Sequence, residues 1–453
     1  MSFDVVVLVP GICGSVLKEG DRVIWPGTAW NVVFKSYPDE DVATLANSES
    51  VVASDILRGV PLNVAGVTLH WFDGYGRALA TLEQFGFREA NKTLIPFAYD
   101  WRRDIRVSAQ RLKDRLAESD LAGRNVAIVA HSMGGLVTRY LLEKLGIPDS
   151  VRVSLAVLAA VPHLGAPVVL QNMLGHRPEL FLSESQCKTA LRNPAFPSAY
   201  QLLPARTVPV FLTRSPAFGF LTKDIISNDV VTGLNLLPAG LDAAHGLDPI
   251  SPGFEPPGKY VAIAGNAQET VTANYFEVKN GNADAVPLTE STAGDGTVPL
   301  WSAAPAGIPV RYVASEHGSI LADATTRALL EAVLCPGKPG VRPFAVNEPA
   351  GPLVLTAQSL KPSVTTGQSV TVSLVANRAT NMIEATLVVD TMFGNGRTDQ
   401  KKFPIRCMGG AVRSMSVELK APDVPAVMRC AVGPAGANMI TGEPDATILV
   451  LPP

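Results

Sequence analysis

The sequence is poor in charged residues, in aromatic residues and in cysteine. Charged residues make up 17% of the 453 positions and aromatic residues 6%, whereas charged residues reach about 25% in typical soluble domains. Lys and Arg total 38 against 41 Asp and Glu, a net charge of −3, so no basic field would attract nucleic acid. The scarcity of aromatic rings argues against a stacking platform for single strands. Apolar residues reach 47%, which excludes intrinsic disorder.

The five cysteines are scattered along the chain and form no Cys-x-x-Cys pair. This usage excludes a dense disulfide framework and disfavours a thiolate zinc site. No basic segment precedes the short apolar run at the N-terminus, so a signal peptide is not expected. The uncharged stretch 153–176 is interrupted by Pro162 and Pro167, which argues against a membrane span. We expect a cytoplasmic protein.

Strand-like apolar segments alternate with amphipathic helical segments from the N-terminus to about Cys335. This alternation predicts an α/β domain whose mostly parallel sheet is covered by helices on both faces. The helical segment Ile105–Leu121 is predicted to turn Val107, Leu112 and Leu116 towards the core.

Two long, Pro-rich stretches interrupt the alternation, Trp25–Trp71 and Leu164–Gly258. Segments of this length inside a compact domain are typical of caps or lids. We expect them to line an apolar site with aromatic residues that include Trp30, Phe34, Phe181, Phe211, Phe218 and Phe220.

A Pro-Gly-Lys-Pro-Gly segment at 336–340 marks a linker. Beyond it, short runs such as Ser369–Val375 and Ala446–Leu451 alternate apolar and polar residues with period two. The pattern predicts a small, Ig-like β-sandwich domain over 345–453. This domain contains no histidine and cannot supply a catalytic base. We expect an accessory role, such as docking to a protein partner or covering an apolar face of the first domain.

A strand-like run, Val126–Ala130, leads through His131 and Ser132 into a helical pattern. This strand–turn–helix context is that of a nucleophile elbow, in which small residues flank the nucleophile. Ala130 and Gly134 are the small residues here, so Ser132 is the candidate nucleophile. The simpler alternative is a serine that only caps a helix.

A serine nucleophile needs a general base and an acid that orients the base. His317 follows a strand pattern near the end of the first domain and is the candidate base; the alternative is a histidine of a surface loop. Asp295, flanked by glycines, is the candidate acid, with Asp284 and Glu290 in reserve. A simple Asp-Gly turn would explain the same local residues.

An oxyanion hole requires two backbone N–H groups. The residue after the nucleophile, Met133, would supply one, and Ile12, in the loop after the first strand, would supply the other. Cys13 beside it has no histidine nearby in the sequence, so we do not expect it to act as a nucleophile. No pair of histidines has metal-ligand spacing, and we expect a reaction without metal or cofactor.

Five segments, in this order, resemble the lecithin:cholesterol acyltransferase family: Leu8–Gly14, Tyr99–Arg102, Ala130–Gly134, Gly294–Val298 and Glu316–His317. The resemblance covers about residues 4–335, and the Tyr-Asp-Trp-Arg run makes it more specific than an elbow alone. It implies an α/β-hydrolase domain over 1–338 with cap insertions at about 25–71 and 164–258. It also implies a serine enzyme acting on lipid esters, with Ser132, Asp295 and His317 as the catalytic triad.

The sequence departs from the family pattern at several points. Ala130 stands where the family usually has glycine, and no cysteine lies between Cys13 and Cys187, so the lid disulfide of secreted members is missing. The period-two C-terminal domain is not part of the family's core.

The leading interpretation is an esterase, lipase or phospholipase that forms an acyl-enzyme on Ser132. Transfer of the acyl group to an alcohol would make it an acyltransferase, and the sequence does not separate the two. A second alternative is a binding protein without catalysis, which the joint presence of all three triad residues disfavours. The expected partner is a lipid or other ester substrate, with transient contact to a membrane and none to nucleic acid.

Overall fold

The computed structural model describes residues 3–27, 37–64, 67–72, 74–178, 182–206, 208–216, 219–237, 240–241, 259–304, 310–336, 353–359, 363–433, 439–441 and 446–452. Its first elements are β1 (Val5–Val9), β2 (Ser15–Glu19), β3 (Arg22–Trp25), α1 (Asp39–Asn47), β4 (Val52–Ile56), β5 (Val60–Val64), β6 (Val67–Phe72), α2 (Gly76–Gln84), β7 (Leu94–Pro96), α3 (Ile105–Ala117), β8 (Asn125–His131), α4 (Met133–Tyr140) and β9 (Arg152–Ala159). There follow α5 (Val168–Leu174), α6 (Glu184–Leu191), α7 (Pro197–Gln201), β10 (Phe211–Ser215), β11 (Gly219–Thr222), α8 (Asn228–Gly233), β12 (Lys259–Gly265), β13 (Gln268–Lys279), β14 (Asn282–Gly294), α9 (Leu300–Ala303), β15 (Val310–Val313) and α10 (Ala324–Leu334). The C-terminal elements are β16 (Leu353–Ser359), β17 (Ser363–Thr365), β18 (Ser369–Phe393), β19 (Thr398–Lys420), β20 (Ala426–Gly433), β21 (Met439–Thr441) and β22 (Ala446–Leu451).

A central sheet runs in the order β15-β12-β9-β8-β1-β7, and all its strand pairs are parallel. Successive residues of β1 enter two different apolar clusters, one on each face of the sheet. Helices α3 and α4 pack on one face, and α2 and α10 pack on the other. Burial on both faces explains why the strands are almost entirely apolar. The architecture confirms the predicted α/β-hydrolase fold.

Helix α3 corrects one detail of the sequence prediction. Leu112 and Leu116 are buried as expected, but Val107 is 49% exposed. The helix begins at Ile105, and its buried positions follow that residue at intervals of three and four. Val107 lies outside this stripe because each residue turns about 100° around the helix axis.

The two stretches that interrupt the alternation contain regular structure. The first holds α1, β4 and the β5–β6 hairpin, while the second holds α5 to α8 with β10 and β11. Gln186 at the start of α6 joins them, because its amide donates hydrogen bonds to the Tyr37 carbonyl and the Asp39 carboxylate at 2.5 and 3.0 Å. None of the helices in the described part of the chain is both long and apolar enough to cross a membrane.

The aromatic residues expected in these stretches are described only in part. Phe211 is buried in the first-domain core. The positions of Trp30, Phe34, Phe181 and Phe218, and the side chain of Phe220, lie outside the described residues.

A long antiparallel hairpin, β13–β14, follows the central strand β12 and has no counterpart in the sequence prediction. It joins β10 and β11 in a sheet of order β11-β10-β13-β14. Polar residues are buried along β13, among them Thr270, Thr272 and Asn274. Because these residues break the apolar pattern, the strand does not stand out in the sequence.

The C-terminal strands β16 to β22 form an antiparallel-rich unit with its own apolar core. The first part of β18 pairs with β16 and its second part pairs with β20, so this long strand belongs to two regions of the sheet. Alternate residues from both parts, including Val372 and Leu387, meet in the same core. The arrangement confirms the predicted β-sandwich, while the boundary itself lies in 337–352, outside the described residues.

The C-terminal sheet packs against the β10–β13 sheet of the first domain. Leu449 and Leu451 of β22 enter one apolar cluster with Leu212, Tyr275 and Trp301. The Ser363 hydroxyl also donates to the Pro209 carbonyl at 3.3 Å. The C-terminal domain therefore covers an apolar face of the first domain.

Loss of this packing is expected to destabilise the full-length protein. Leu451→Ala removes a side chain that is only 4% exposed and should lower the free energy of unfolding by about 2–3 kcal/mol. Urea titration followed by circular dichroism measures the change. Val424→Ala, at a position that is 53% exposed, is the matched control and should stay within about 0.5 kcal/mol of the parent. Equal effects of the two substitutions would contradict the packing.

Candidate active site

Ser132 lies in a tight turn between β8 and α4. Its backbone has φ 53° and ψ −130°, a conformation that residues other than glycine rarely adopt. A Cβ atom added to Gly11 would lie 2.7 Å from Ser132 Cβ, and one added to Gly134 would lie 2.3 Å from the Pro10 carbonyl oxygen. Small residues are therefore required around the turn, and the Ser132 side chain projects beyond the carboxyl edge of the sheet.

His317 contacts both of the other residues predicted to form a triad. Its Nδ1 lies 2.8 Å from Asp295 Oδ2, and its Nε2 lies 3.0 Å from Ser132 Oγ. A carboxylate only accepts hydrogen bonds, so Nδ1 carries the hydrogen and Nε2 is left to accept the serine hydroxyl. The structure thus brings Ser132, His317 and Asp295 into one hydrogen-bonded line.

Asp295 is fixed by its own turn and by the end of a central strand. Its Oδ1 accepts the N–H groups of Thr297 and Val298 at 3.0 and 2.7 Å, and its carbonyl accepts the His317 N–H at 2.9 Å. A Cβ atom added to Gly265, the last residue of β12, would lie 2.6 Å from Asp295 Cβ. The carboxylate therefore both closes a local turn and reaches His317.

The two reserve acids lie elsewhere. Asp284 Oδ1 is 3.2 Å from His176 Nε2, and Glu290 accepts the Thr272 hydroxyl at 3.0 Å. These contacts join the two carboxylates to residues other than His317.

The two predicted oxyanion donors are Met133, which directly follows Ser132, and Ile12, in the loop after β1. Met133 is the first residue of α4, where a helix leaves its N–H groups without intrahelical acceptors. Gly14 N–H donates to the Gly11 carbonyl at 3.1 Å, which turns the Gly11–Ile12 peptide so that the Ile12 N–H faces away from that bond. Ile12 and Ser132 both line the same pocket. The role of Ile12 and Met133 as oxyanion donors stays a prediction.

The Tyr99–Arg102 segment supports the walls of the site. Tyr99 donates its hydroxyl to the Pro10 carbonyl at 2.8 Å. Arg102 is 2% exposed, pairs with Asp100 at 2.7 Å and donates to the Leu45 carbonyl at 2.8 Å. This buried pair therefore ties the C-terminal end of α1 to the central domain.

An apolar pocket opens beside Ser132 and His317. Its volume is about 1210 Å³ with the open mouth included. Both insertions contribute to its wall, through Leu45, Leu57, Val168, Val169, Leu191 and Phe196. The pocket therefore offers an apolar surface directly next to the candidate nucleophile.

Tyr75 and His131 form a second polar group next to the triad and line the same pocket. The Tyr75 hydroxyl lies 2.7 Å from both the Gly11 nitrogen and His131 Nδ1. His131 Nε2 lies 2.9 Å from the His317 carbonyl oxygen. Tyr75 is not predictable as a site residue from the sequence, where it only precedes a helix that packs on the sheet.

His131 and His163 are buried, which disfavours the charged form of each imidazole. Burial, together with the nearby His317, lowers the pKa of His131 from 6.5 to about 3. Burial and the adjacent Arg139 guanidinium hold the pKa of His163 well below its ordinary value. Arg139 donates to His163 Nδ1 at 3.2 Å and pairs with Glu143 at 2.7 Å. Across the described ranges, His, Cys, Asp and Glu side chains form no group of three that could hold a metal ion.

A family model described as lecithin:cholesterol acyltransferase matches residues 67–230. The chain resembles this family. The matched region includes the Ser132 turn and the Tyr99–Arg102 segment, which supports the resemblance drawn from the motifs. No curated protein matches the chain.

Two solved structures are similar to this chain. The product of gene lin2722 from Listeria innocua is 13% identical, with 75% of this chain and 96% of that chain covered and a TM-score of 0.26. Phospholipase PlaB from Legionella pneumophila in complex with thio-NAD is 12% identical, with 73% of this chain and 56% of that chain covered and a TM-score of 0.24.

The buried histidines make the stability of the protein sensitive to acid. Below pH 6.5 the unfolded chain binds protons at His131 and His163 that the native protein does not bind, so stability is lost as the pH falls. Each histidine contributes about 1.4 kcal/mol per pH unit below 6.5 until the native group itself is protonated. Urea unfolding between pH 7 and 5 measures the slope.

The variant His163→Gln provides the comparison for this slope. Glutamine does not titrate, and its amide oxygen can accept the same hydrogen bond from Arg139. The slope of the unfolding free energy against pH should decrease by the contribution of one titrating histidine. A slope equal to that of the parent protein would contradict the assignment of a neutral, buried His163.

Proposed function

We propose that this chain is a serine hydrolase that cleaves carboxylic esters of lipids through an acyl-enzyme on Ser132. The observation that carries the proposal is the line from Asp295 through His317 to Ser132, with contacts of 2.8 and 3.0 Å. The family similarity supports the broader class, an enzyme that acts on lipid esters as a hydrolase or an acyltransferase.

The geometry suits a two-step acyl transfer. Ser132 Oγ attacks the ester carbonyl carbon while His317 Nε2 takes the hydroxyl proton, and Asp295 stabilises the imidazolium that forms. The N–H groups of Ile12 and Met133 stabilise the oxyanion, and His317 returns the proton to the leaving alcohol. Water, deprotonated by His317, then releases the acyl group as a carboxylate and restores Ser132.

The apolar pocket supports a substrate with a hydrocarbon chain. Leu45 of α1, Val169 of α5 and Phe196, which directly precedes α7, line the same cavity as Ser132. Each CH₂ group transferred from water to such a surface contributes about 0.8 kcal/mol. A substrate of this kind is drawn from a lipid phase, so turnover includes transient contact with a membrane or micelle.

Acyl transfer to an alcohol is the second candidate, because the matching family model describes an acyltransferase. Water access favours hydrolysis, since the His317 side chain is 18% exposed. Incubation with a labelled ester and an excess of a long-chain alcohol separates the two reactions. Labelled fatty acid as the main product supports hydrolysis, and a labelled new ester supports transfer.

The first test removes the triad residues one by one. Ser132→Ala, His317→Ala and Asp295→Asn should each lower kcat for a soluble p-nitrophenyl ester by about 10⁴-fold or more, and the losses should not add because the residues act as a unit. The matched control is Asp284→Asn, which alters a carboxylate outside this line and should keep parental kcat. If Asp295→Asn kept most of the activity, the acid role would belong to another residue.

The second test varies the length of the acyl chain. The value of kcat/KM should rise several-fold per added carbon until the pocket is full, because each buried CH₂ contributes about 0.8 kcal/mol. Val169→Phe narrows the pocket and should reduce activity on long esters while butyrate hydrolysis changes little. Val278→Phe, at a position 60% exposed, is the control. A profile that is flat from acetate upwards would point to a small, polar substrate.

A further inference from the structure

A chain of hydrogen bonds runs through two side chains that line the candidate active site. It begins at the Gly11 N–H, passes through the Tyr75 hydroxyl to His131 Nδ1, and continues from His131 Nε2 to the His317 carbonyl. The three bonds measure 2.7, 2.7 and 2.9 Å. The chain therefore connects the loop before Ile12 with the backbone of the candidate base.

Only one arrangement of hydrogens satisfies this chain. The His317 carbonyl can only accept, so His131 Nε2 carries the hydrogen of the neutral imidazole. The Gly11 N–H can only donate, so the Tyr75 oxygen accepts it and gives its own hydrogen to His131 Nδ1. Every polar atom then has a partner, and the direction of each bond is fixed.

We infer that Tyr75 and His131 are positioning residues for the chemistry at Ser132. This inference rests on the proposed function. His131 adjoins Ser132 in the chain, so a single imidazole links the nucleophile turn, the oxyanion loop and the segment that carries His317. The hydrogen bonds of Tyr75 and His131 go to backbone groups and to each other, and not to Ser132 Oγ or His317 Nε2.

The effect on the oxyanion loop comes from two tyrosines that hold one peptide group. Tyr99 donates to the carbonyl oxygen of the Pro10–Gly11 peptide, and Tyr75 accepts from its N–H. Both the carbonyl and the N–H of this peptide are therefore fixed. The next peptide carries the Ile12 N–H, so fixing the first helps to orient that N–H. Loss of the Tyr75 hydroxyl would leave the Gly11 N–H and His131 Nδ1 without partners.

The effect on His317 combines position with charge. The two imidazole rings lie 4.8 Å apart between centroids. His317 becomes positively charged when it takes the serine proton, and a second positive charge at this distance would oppose that step. Burial disfavours a charge on His131 and so removes this repulsion. The hydrogen bond from His131 to the His317 carbonyl holds the backbone of the base in position next to Ser132.

The central test is Tyr75→Phe in the full-length protein, with Tyr200→Phe as the matched control. Tyr200 is buried and also donates to a backbone carbonyl, that of Arg192, at 2.7 Å, but it lies outside the chain of bonds described above. Tyr75→Phe should lower kcat for a soluble ester about 10- to 100-fold with KM within about twofold. Tyr200→Phe should retain parental kcat even where its melting temperature falls.

A second pair of variants tests whether the two residues act together. His131→Leu should show a similar loss of kcat. The kcat of the double variant should be no more than about threefold below that of the less active single variant. Independent losses that multiply would overturn the linkage. A kcat of Tyr75→Phe within twofold of the parent would overturn the positioning role of the tyrosine.

A spectroscopic readout separates this inference from the proposed function. Nitrogen NMR of ¹⁵N-histidine-labelled protein should show His131 as the neutral Nε2–H tautomer at pH 7, and Tyr75→Phe should shift the Nδ1 signal. A Nδ1–H tautomer at His131 would overturn the inference whatever the activity. A parent protein that neither hydrolyses esters nor reacts with a fluorophosphonate at Ser132 would instead remove the proposed function, and the positioning role would fall with it.

Discussion

The backbone turn at Ser132 is the constraint around which the site is built. A residue with a side chain is held there at positive φ, which costs about 1–3 kcal/mol and persists only where neighbouring contacts enforce it. Those contacts are the Ser132 N–H bond to the Ala159 carbonyl at 2.9 Å and the close approach of Gly11. The strain places the hydroxyl beyond the sheet edge, within reach of His317.

The insertions form the pocket because buried polar groups anchor them to the central domain. Arg102 neutralises Asp100 and satisfies carbonyl groups at the end of α1. A buried ion pair of this kind contributes little net stability on its own but leaves a large penalty when one partner is lost. Its effect here is geometric, since it determines where Leu45 meets the pocket.

The sequence was most informative where chemistry and secondary structure coincide. Ser132 follows β8 and His317 follows β15, and residues that follow parallel strands meet at the carboxyl edge of the sheet. Asp295 is predicted as the acid from its flanking glycines, although the β13–β14 hairpin that leads to it contains buried polar residues and is not predicted from the sequence. The Tyr75–His131 contact cannot be predicted from the sequence, because it depends on the packing of segments far apart in the chain and no local sequence pattern indicates it.

The covered face of the β10–β13 sheet has a consequence for folding. Chains are synthesised from the N-terminus, and domains generally fold as units in that order. The face that carries Leu212, Tyr275 and Trp301 is complete well before Leu449 and Leu451 emerge to cover it. Until then it is a solvent-exposed apolar patch close in sequence to Asp295, of the kind that recruits chaperones or drives association. In the native protein the β-sandwich removes this patch from water by packing Leu449 and Leu451 against it.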